Sequence, residues 1–336
     1  MPRRSAVSLG EIASFENLAA AFWRAARGKR HRLEVRRFEA QLEHELAALA
    51  AEIVSLRVPV GRFHVFQVFD PKPRLIHAPA FRERVLHHAM MRPMEPVLDR
   101  SLVDDTFACR TGKGTLAAVE RAQHHLRRFS WYAKLDVRRY FASVDHAVLR
   151  ALLERRFKDP GLLALCARVI DAHHAAPGKG LPIGALTSQH FANLYLASLD
   201  RFLLEEQRVA GLVRYMDDVA WWCETKEHAR ESLRNAVQLL RERLLLEVHP
   251  NARVQRSSHG LSFLGFRVRR GALLLSRRRR VRYRAARQRW EEAFRLGLVE
   301  ARTLQAGYAS ALAITLHAES RGWRRAELVL HPPLDA

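Results

Sequence analysis

The sequence predicts an α+β fold, and three observations carry that expectation. Short β-prone runs end in carboxylates at Leu135-Asp136 and at Tyr215-Met216-Asp217-Asp218. Amphipathic helical patterns separate those runs and follow them, as helices covering a sheet would. Further on, residues 277–289 hold eight Arg in thirteen positions on a helical pattern. A net charge of +22 over 336 residues, mostly from Arg, selects polyanionic partners, because a phosphate backbone rewards such an excess. With 48% hydrophobic residues the chain can still bury a core, which excludes a disordered basic tail. Cys109, Cys166 and Cys223 are odd in number and far apart, so neither a disulfide framework nor a zinc knuckle is expected. No apolar stretch reaches membrane-spanning length, and the expectation is a cytoplasmic protein with no membrane partner.

The elements follow in order. Residues 11–56 place Leu18, Phe22, Trp23, Phe38, Leu42, Leu46, Leu49 and Ile53 at helical spacing, interrupted by the basic loop Gly28-Lys29-Arg30-His31-Arg32. Phe63–Phe69 alternates as a strand and meets Asp70-Pro71-Lys72-Pro73-Arg74, whose two prolines stiffen the turn. A rigid turn presents Lys72 as a point charge and Arg74 as a planar fork, both suited to phosphate oxygens. Residues 80–90 form a helix on which His87 and His88 point about 100° apart, so they do not share an ion. The loop 105–115 carries Arg110 and Lys113, and its Gly-x-Gly lacks phosphate-loop spacing.

Trp131–Val137 reads as a strand and Asp145 as the cap of a helix running to Leu153. A helix over Phe191–Glu206 leads to the hairpin Leu212–Cys223, with its acids at the tip, and then to a helix over Glu227–Leu246. Leu261–Val268 is a strand, and the Arg run Arg277, Arg278, Arg279 and Arg280 opens a helix that continues through Trp290, Phe294 and Leu298. No internal repeat or low-complexity linker is present, and no nuclease or integrase domain is expected after that helix.

Asp136, Asp217 and Asp218 fit a hard divalent cation, which takes carboxylates together with phosphates and water. Taken singly, Asp136 reads as a turn cap and Asp217-Asp218 as a solvated loop. Taken together, Tyr215-Met216-Asp217-Asp218 resembles the YxDD box of reverse transcriptases, and Asp136 followed by Tyr140-Phe141 resembles their first palm motif. Between them, Gly180-Leu181-Pro182-Ile183-Gly184-Ala185-Leu186-Thr187-Ser188-Gln189 resembles the motif under the incoming nucleotide and template. The likeness runs from about residue 10 to residue 290.

That resemblance implies a right-hand polymerase fold: an N-terminal helical extension (1–60), fingers (61–130), a palm with the catalytic Asp residues on an antiparallel sheet (131–270) and a basic helical thumb (271–336). It implies two Mg²⁺ ions, with Mn²⁺ as a substitute, bridged by Asp136 and Asp217, with Asp218 as outer ligand and the Val137 carbonyl completing a shell. It places Lys72, Arg74, Phe141, Ile183, Gly184 and Gln189 around the incoming deoxynucleotide, Phe141 as a steric gate against a ribose. Arg110, Lys113, Tyr215, Leu264, Gly265 and Arg277–Arg280 fall along template and primer. The basic loop 28–32 precedes the fingers, where the family contacts template. One departure is Asn251-Ala252-Arg253, standing where such enzymes often carry a Lys, so no general acid is assigned.

Ile183-Gly184 and Ser188-Gln189 depart from the Gln-Gly and Ser-Pro of group II intron and retroviral enzymes. They resemble the signature of diversity-generating retroelement enzymes. Such enzymes copy a template-repeat RNA into adenine-mutagenised cDNA with a small basic oligomeric accessory protein. The alternatives are a group II intron-like or defence-associated bacterial enzyme, or an RNA-binding scaffold without catalysis.

Overall fold

A computed structural model describes residues 4–69 and 73–334. Helices α1 (Leu9–Ala13), α2 (Phe15–Ala26), α3 (Leu33–Ala40) and α4 (Leu42–Val54) open the chain. Leu18, Phe22, Phe38, Leu46, Leu49 and Ile53 are all buried, so helical spacing found the inner stripe. Trp23 faces outward, with the Arg30 guanidinium 5.1 Å over its ring. Strands β1 (Phe63–Phe69) and β2 (Pro73–Pro79) pair antiparallel, and the turn residues Asp70, Pro71 and Lys72 lie outside the described residues.

After α5 (Phe81–Asp99) and α6 (Thr115–Arg128) come β3 (Trp131–Leu135), α7 (Tyr140–Ser143), α8 (His146–Glu154) and α9 (Pro160–Asp171). The Asp145 carboxylate accepts from the Ala147 and Val148 amides and caps α8, as its place before an apolar stripe predicts. The helix expected over Phe191–Glu206 instead begins at Leu186, as α10 (Leu186–Tyr195) and α11 (Ala197–Arg201), and ends in a π-helical turn, Phe202–Glu206. Strands β4 (Gly211–Tyr215) and β5 (Asp218–Cys223), helix α12 (Lys226–Arg243) and strand β6 (Arg253–Arg256) follow.

Leu261–Val268, expected as one strand, is a hairpin: β7 (Leu261–Phe263) and β8 (Phe266–Val268) flank Leu264-Gly265. Both turn residues have positive φ, 48° and 83°, the combination whose twist suits a two-residue hairpin loop. A third strand, β9 (Leu273–Leu275), completes that sheet, and α13 (Arg277–Arg295), α14 (Ala301–Ala313) and α15 (Arg321–Leu330) end the chain.

The central sheet has the order β4-β5-β3-β6, antiparallel throughout. Side chains alternate across it, as the two-residue period of a strand requires. Leu212, Ala133, Leu135, Val219, Trp221 and Cys223 face the larger core, shared with α12 and the N-terminal helices. Val213, Tyr132, Ala220 and Trp222 face a second core formed with α6 and the β7–β8 hairpin. The fold is the expected α+β architecture. Among the described residues, no helix is long and apolar enough to cross a membrane.

Candidate active site

The three acids come together by register. Tyr215 pairs with Asp218 at the end of β4–β5, leaving Met216-Asp217 as a two-residue turn with Met216 at φ 57°. Leu135 pairs with Val219, so one further step of the same ladder sets Asp136 beside Asp218. By strand parity Lys134, Asp136, Tyr215 and Asp218 share the face of the second core. Asp136 is held through its backbone, its carbonyl accepting from the His249 amide at 2.8 Å. Val137 bridges Val248 while the bonds fall on its neighbours, Asp136 and Arg138, which leaves the Val137 carbonyl outside that ladder.

The electrostatics follow from that convergence. Burial first, and then the negative charge of Asp136, push the Asp217 carboxyl up to about 7. Asp218 is also raised by burial, opposed by Lys134, whose Nζ stands 2.9 Å from Asp218 Oδ1. Three carboxylates therefore crowd one end of a sheet with too little positive charge among them. An oxygen-only donor set of this kind fits a hard divalent cation.

The turn rests on a layer that pattern reading did not find. Arg214, on the opposite face of β4, is fully buried and holds Asp200, the Asn193 side chain and, at 3.2 Å, the Met216 carbonyl. Thr106 Oγ1 donates to Asp200 at 3.0 Å. A charged residue inside the otherwise apolar run Leu212-Val213-Arg214-Tyr215 was the available signal, because a buried guanidinium demands a partner. Lys134 was likewise findable, two residues before Asp136 and hence on the same face.

The remaining candidates are held by several different elements. Phe141 is half-buried, and its carbonyl accepts from the Leu181 amide at 2.7 Å, tying the first motif to the loop that carries Ile183 and Gly184. The Ile183 carbonyl in turn accepts from the His77 amide of β2 at 2.7 Å. A Cβ on Gly184 would stand 2.9 Å from Ile76 and 3.0 Å from the His77 carbonyl, so this contact with the hairpin needs Gly, as does φ +121°. Arg74 is exposed on β2, while Lys72 lies outside the described residues. Gln189 is exposed, with Cys109 Sγ 3.4 Å from its Oε1. Tyr215 packs against the second core, and its hydroxyl accepts from Thr115 at 3.4 Å.

Two expectations need correction. Arg110 does not face outward: it forms a bidentate pair with Asp99 and donates to the Val103 and Thr106 carbonyls, because its loop folds back on α5. Lys113 is likewise engaged, by the carboxylate and carbonyl of Asp104. In the Arg run, Arg277 and Arg278 are exposed, whereas the Arg279 guanidinium lies 3.9 Å over the Phe266 ring. Arg279 Nε would be 2.8 Å from a Cβ on Gly265, so that glycine makes room for Arg279. Arg280 lies 5.7 Å over Trp323. Lys29, Arg32, His64, Phe66 and Arg84 line an open cleft that reaches Gly184.

Comparison with known proteins agrees with this geometry. Residues 70–268 match the family described as reverse transcriptase (RNA-dependent DNA polymerase). Protein YkfC of Escherichia coli is 26% identical over 208 residues, covering 58% of this chain and 54% of that protein. Group II intron-encoded protein LtrA of Lactococcus lactis is 23% identical over 153 residues, covering 44% of this chain and 26% of LtrA. The chain thus spans about half of the first relative and a quarter of the second. Apo telomerase from Candida Tropicalis superposes with a TM-score of 0.51 at 11% identity, over 83% of this chain and 63% of that one, a likeness of fold.

Proposed function

The chain belongs to the reverse transcriptase family, and from that premise we propose that it is an RNA-directed DNA polymerase. The observation that carries the reading is the convergence of Asp136, Asp217 and Asp218 at one end of the central sheet, short of positive charge. Asp136, Asp217, Asp218 and the Val137 carbonyl would hold the Mg²⁺ ions. When bound, such ions acidify the attacking primer hydroxyl and neutralise the triphosphate. The residues of the chain do the rest. Lys134 restrains Asp218, and Arg214 fixes the turn that presents Asp217.

The β1–β2 hairpin, with Arg74 and Lys72, grips the triphosphate, and the edge of Phe141 excludes a ribose 2′-hydroxyl. Lys29, Arg32 and Arg84, interleaved with His64 and Phe66, combine charge with stacking surface and suit single-stranded template. Leu264-Gly265 supports the primer, and Arg277 and Arg278 hold duplex phosphates. In this reading residues 1–60 are a helical extension, 61–130 the fingers, 131–270 the palm and 271–336 the thumb, and the protein works in the cytoplasm.

Ile183-Gly184 with Ser188-Gln189 supports a finer reading, a diversity-generating retroelement enzyme that copies a template-repeat RNA with errors at adenines. A small basic accessory protein would then be its partner. The similarity to LtrA favours a second reading, a group II intron-like enzyme. Primer extension on RNA with Mg²⁺ tests the activity: Asp136→Asn and Asp217→Asn should each abolish it while moving the thermal transition only a few degrees. Extension retained in both would remove the assignment, and no extension by the parent would leave an RNA-binding scaffold. A neighbouring pair of DNA repeats that differ only at adenines separates the two element types.

A further inference from the structure

A second cluster of ligating groups lies outside the carboxylate site. His146 is the first residue of α8, Asp171 the last of α9, and His174 follows in the loop that leads to Ile183. One ligand atom from each lies within 4.8 Å of the other two.

The hydrogen bonds of His146 decide what the cluster can hold. The residue is 3% exposed, and Nε2 stands 2.8 Å from the Gly180 carbonyl, which can only accept. Nε2 therefore carries a hydrogen, and in the neutral imidazole Nδ1 carries the lone pair. That lone pair is aimed at a second acceptor, since Nδ1 is 3.2 Å from Asp171 Oδ1. With the ring neutral, two acceptors face each other, and either a proton on Nδ1 or a metal ion joins them. Histidines that bind metals commonly show this arrangement, the far N–H fixed on a backbone carbonyl and the near nitrogen presented to the ion. The His174 ring is 5.0 Å from that of His146, centroid to centroid, and supplies a second imidazole.

We propose that His146 Nδ1, the Asp171 carboxylate and His174 form a binding site for a borderline divalent transition-metal ion, zinc being the best match. Two imidazoles and one carboxylate suit Zn²⁺, whereas Mg²⁺ prefers oxygen alone, so this site and the Asp136 site select different ions. Asp171 and His174 are exposed, which leaves room for water as a fourth ligand. Arg150, one turn along α8 and 39% exposed, rests its guanidinium on the same Asp171 oxygen. It answers the carboxylate but not the Nδ1 lone pair, and it swings into solvent when the ion binds.

The ion braces a loop and takes no part in chemistry. The His146 amide donates to Gly178, Gly180 to Val144 and Leu181 to Phe141, so the segment runs along the start of α8 before reaching Ile183. A metal joining α8, α9 and that segment pins the path into the nucleotide-facing loop.

The test uses the full chain carrying Asp136→Asn and Asp217→Asn, stripped with a chelator and then titrated with Zn²⁺ by calorimetry. A Co²⁺ absorption spectrum reports the ligand type. The expected result is one tight Zn²⁺ per chain, a visible Co²⁺ band, and a thermal transition raised a few degrees by excess Zn²⁺ but not by Mg²⁺. His174→Ala, at an exposed position that leaves folding intact, should weaken binding at least tenfold, and so should His146→Gln. Arg150→Gln should strengthen it several-fold by removing the rival cation. Equal Zn²⁺ binding in the parent and His174→Ala, or none in the parent, overturns the site.

Discussion

The guanidinium of Arg214 grips both oxygens of Asp200, with Nε 2.7 Å from one and Nη2 2.7 Å from the other, and neither side chain touches solvent. The pair lies beneath the turn of the acids and reaches it through the Met216 carbonyl. Arg214→Met and Asp200→Leu should each cost about 3–5 kcal/mol, because each strands one buried charge. The double variant should recover most of that stability, yet extend primers more slowly, since Met216 has lost its donor. Denaturant unfolding and single-turnover extension check both halves. A double variant as unstable as the sum of the two singles would show that the pair is not the unit.

What the sequence made legible was whatever local pattern determines. Two apolar runs meeting at Asp217-Asp218 predict a hairpin because alternation and adjacency are both visible there. Asp200 is hidden by contrast: it is a charged residue on a helical pattern, and only the tertiary packing of α11 under β4 gives it a partner. The break at Leu264-Gly265 was missed because a leucine does not announce positive φ. The engagement of Arg110 by Asp99 and two carbonyls was not read because charge in a loop does not show which neighbours the loop will fold onto.

Arg277 and Arg278, not the whole basic run, should set the salt dependence of duplex binding. Their reversal to Glu should flatten the slope of log affinity against log salt by about 2, roughly one unit per lost phosphate contact. Reversal of Arg279 should instead lower the melting temperature, because that side chain covers Phe266. Filter binding across a salt series and thermal melts distinguish the two. An unchanged slope for the Arg277 and Arg278 variants would remove the thumb from duplex contact.

Acid should destabilise the fold through His125, which is 7% exposed beneath Gly211, where a Cβ would collide with its ring. Burial, then the charges of Arg121 and His124, push its pKa down to about 4. The folded value lies below the ordinary 6.5, so the unfolded chain takes up the proton first. The stabilisation is complete above pH 6.5 and is lost as pH falls toward 4. His88, also pushed down to about 4, adds to the effect, and Asp217, pushed up, opposes it. His125→Phe should therefore lose less stability than the parent between pH 6.5 and 5 in urea unfolding, and parallel curves would contradict this.

In its proposed place beside the incoming nucleotide, Ile183 would bear on fidelity. Its half-buried side chain offers no donor or acceptor, while its carbonyl is fixed by the His77 amide. A Gln there could add one hydrogen bond near the incoming nucleotide, worth about 0.5–1.5 kcal/mol, or roughly three- to tenfold in discrimination. Ile183→Gln should lower misincorporation opposite template adenine, where pairing has only two hydrogen bonds, more than opposite other bases. Sequencing cDNA made by both proteins from one mixed-base RNA measures it, and equal adenine error rates would sink the idea.

Trp221 and Trp222 are neighbours in sequence, yet each is wholly buried in a different core. β5 is the wall between those cores, and it also starts at Asp218. A slip of one residue in its pairing would send each indole into the wrong compartment and turn Asp218 away from Asp136 in the same movement. Mispaired chains that lack the carboxylate cluster are therefore also chains with two misplaced indoles, and folding itself inspects the alignment that brings Asp136 and Asp218 together.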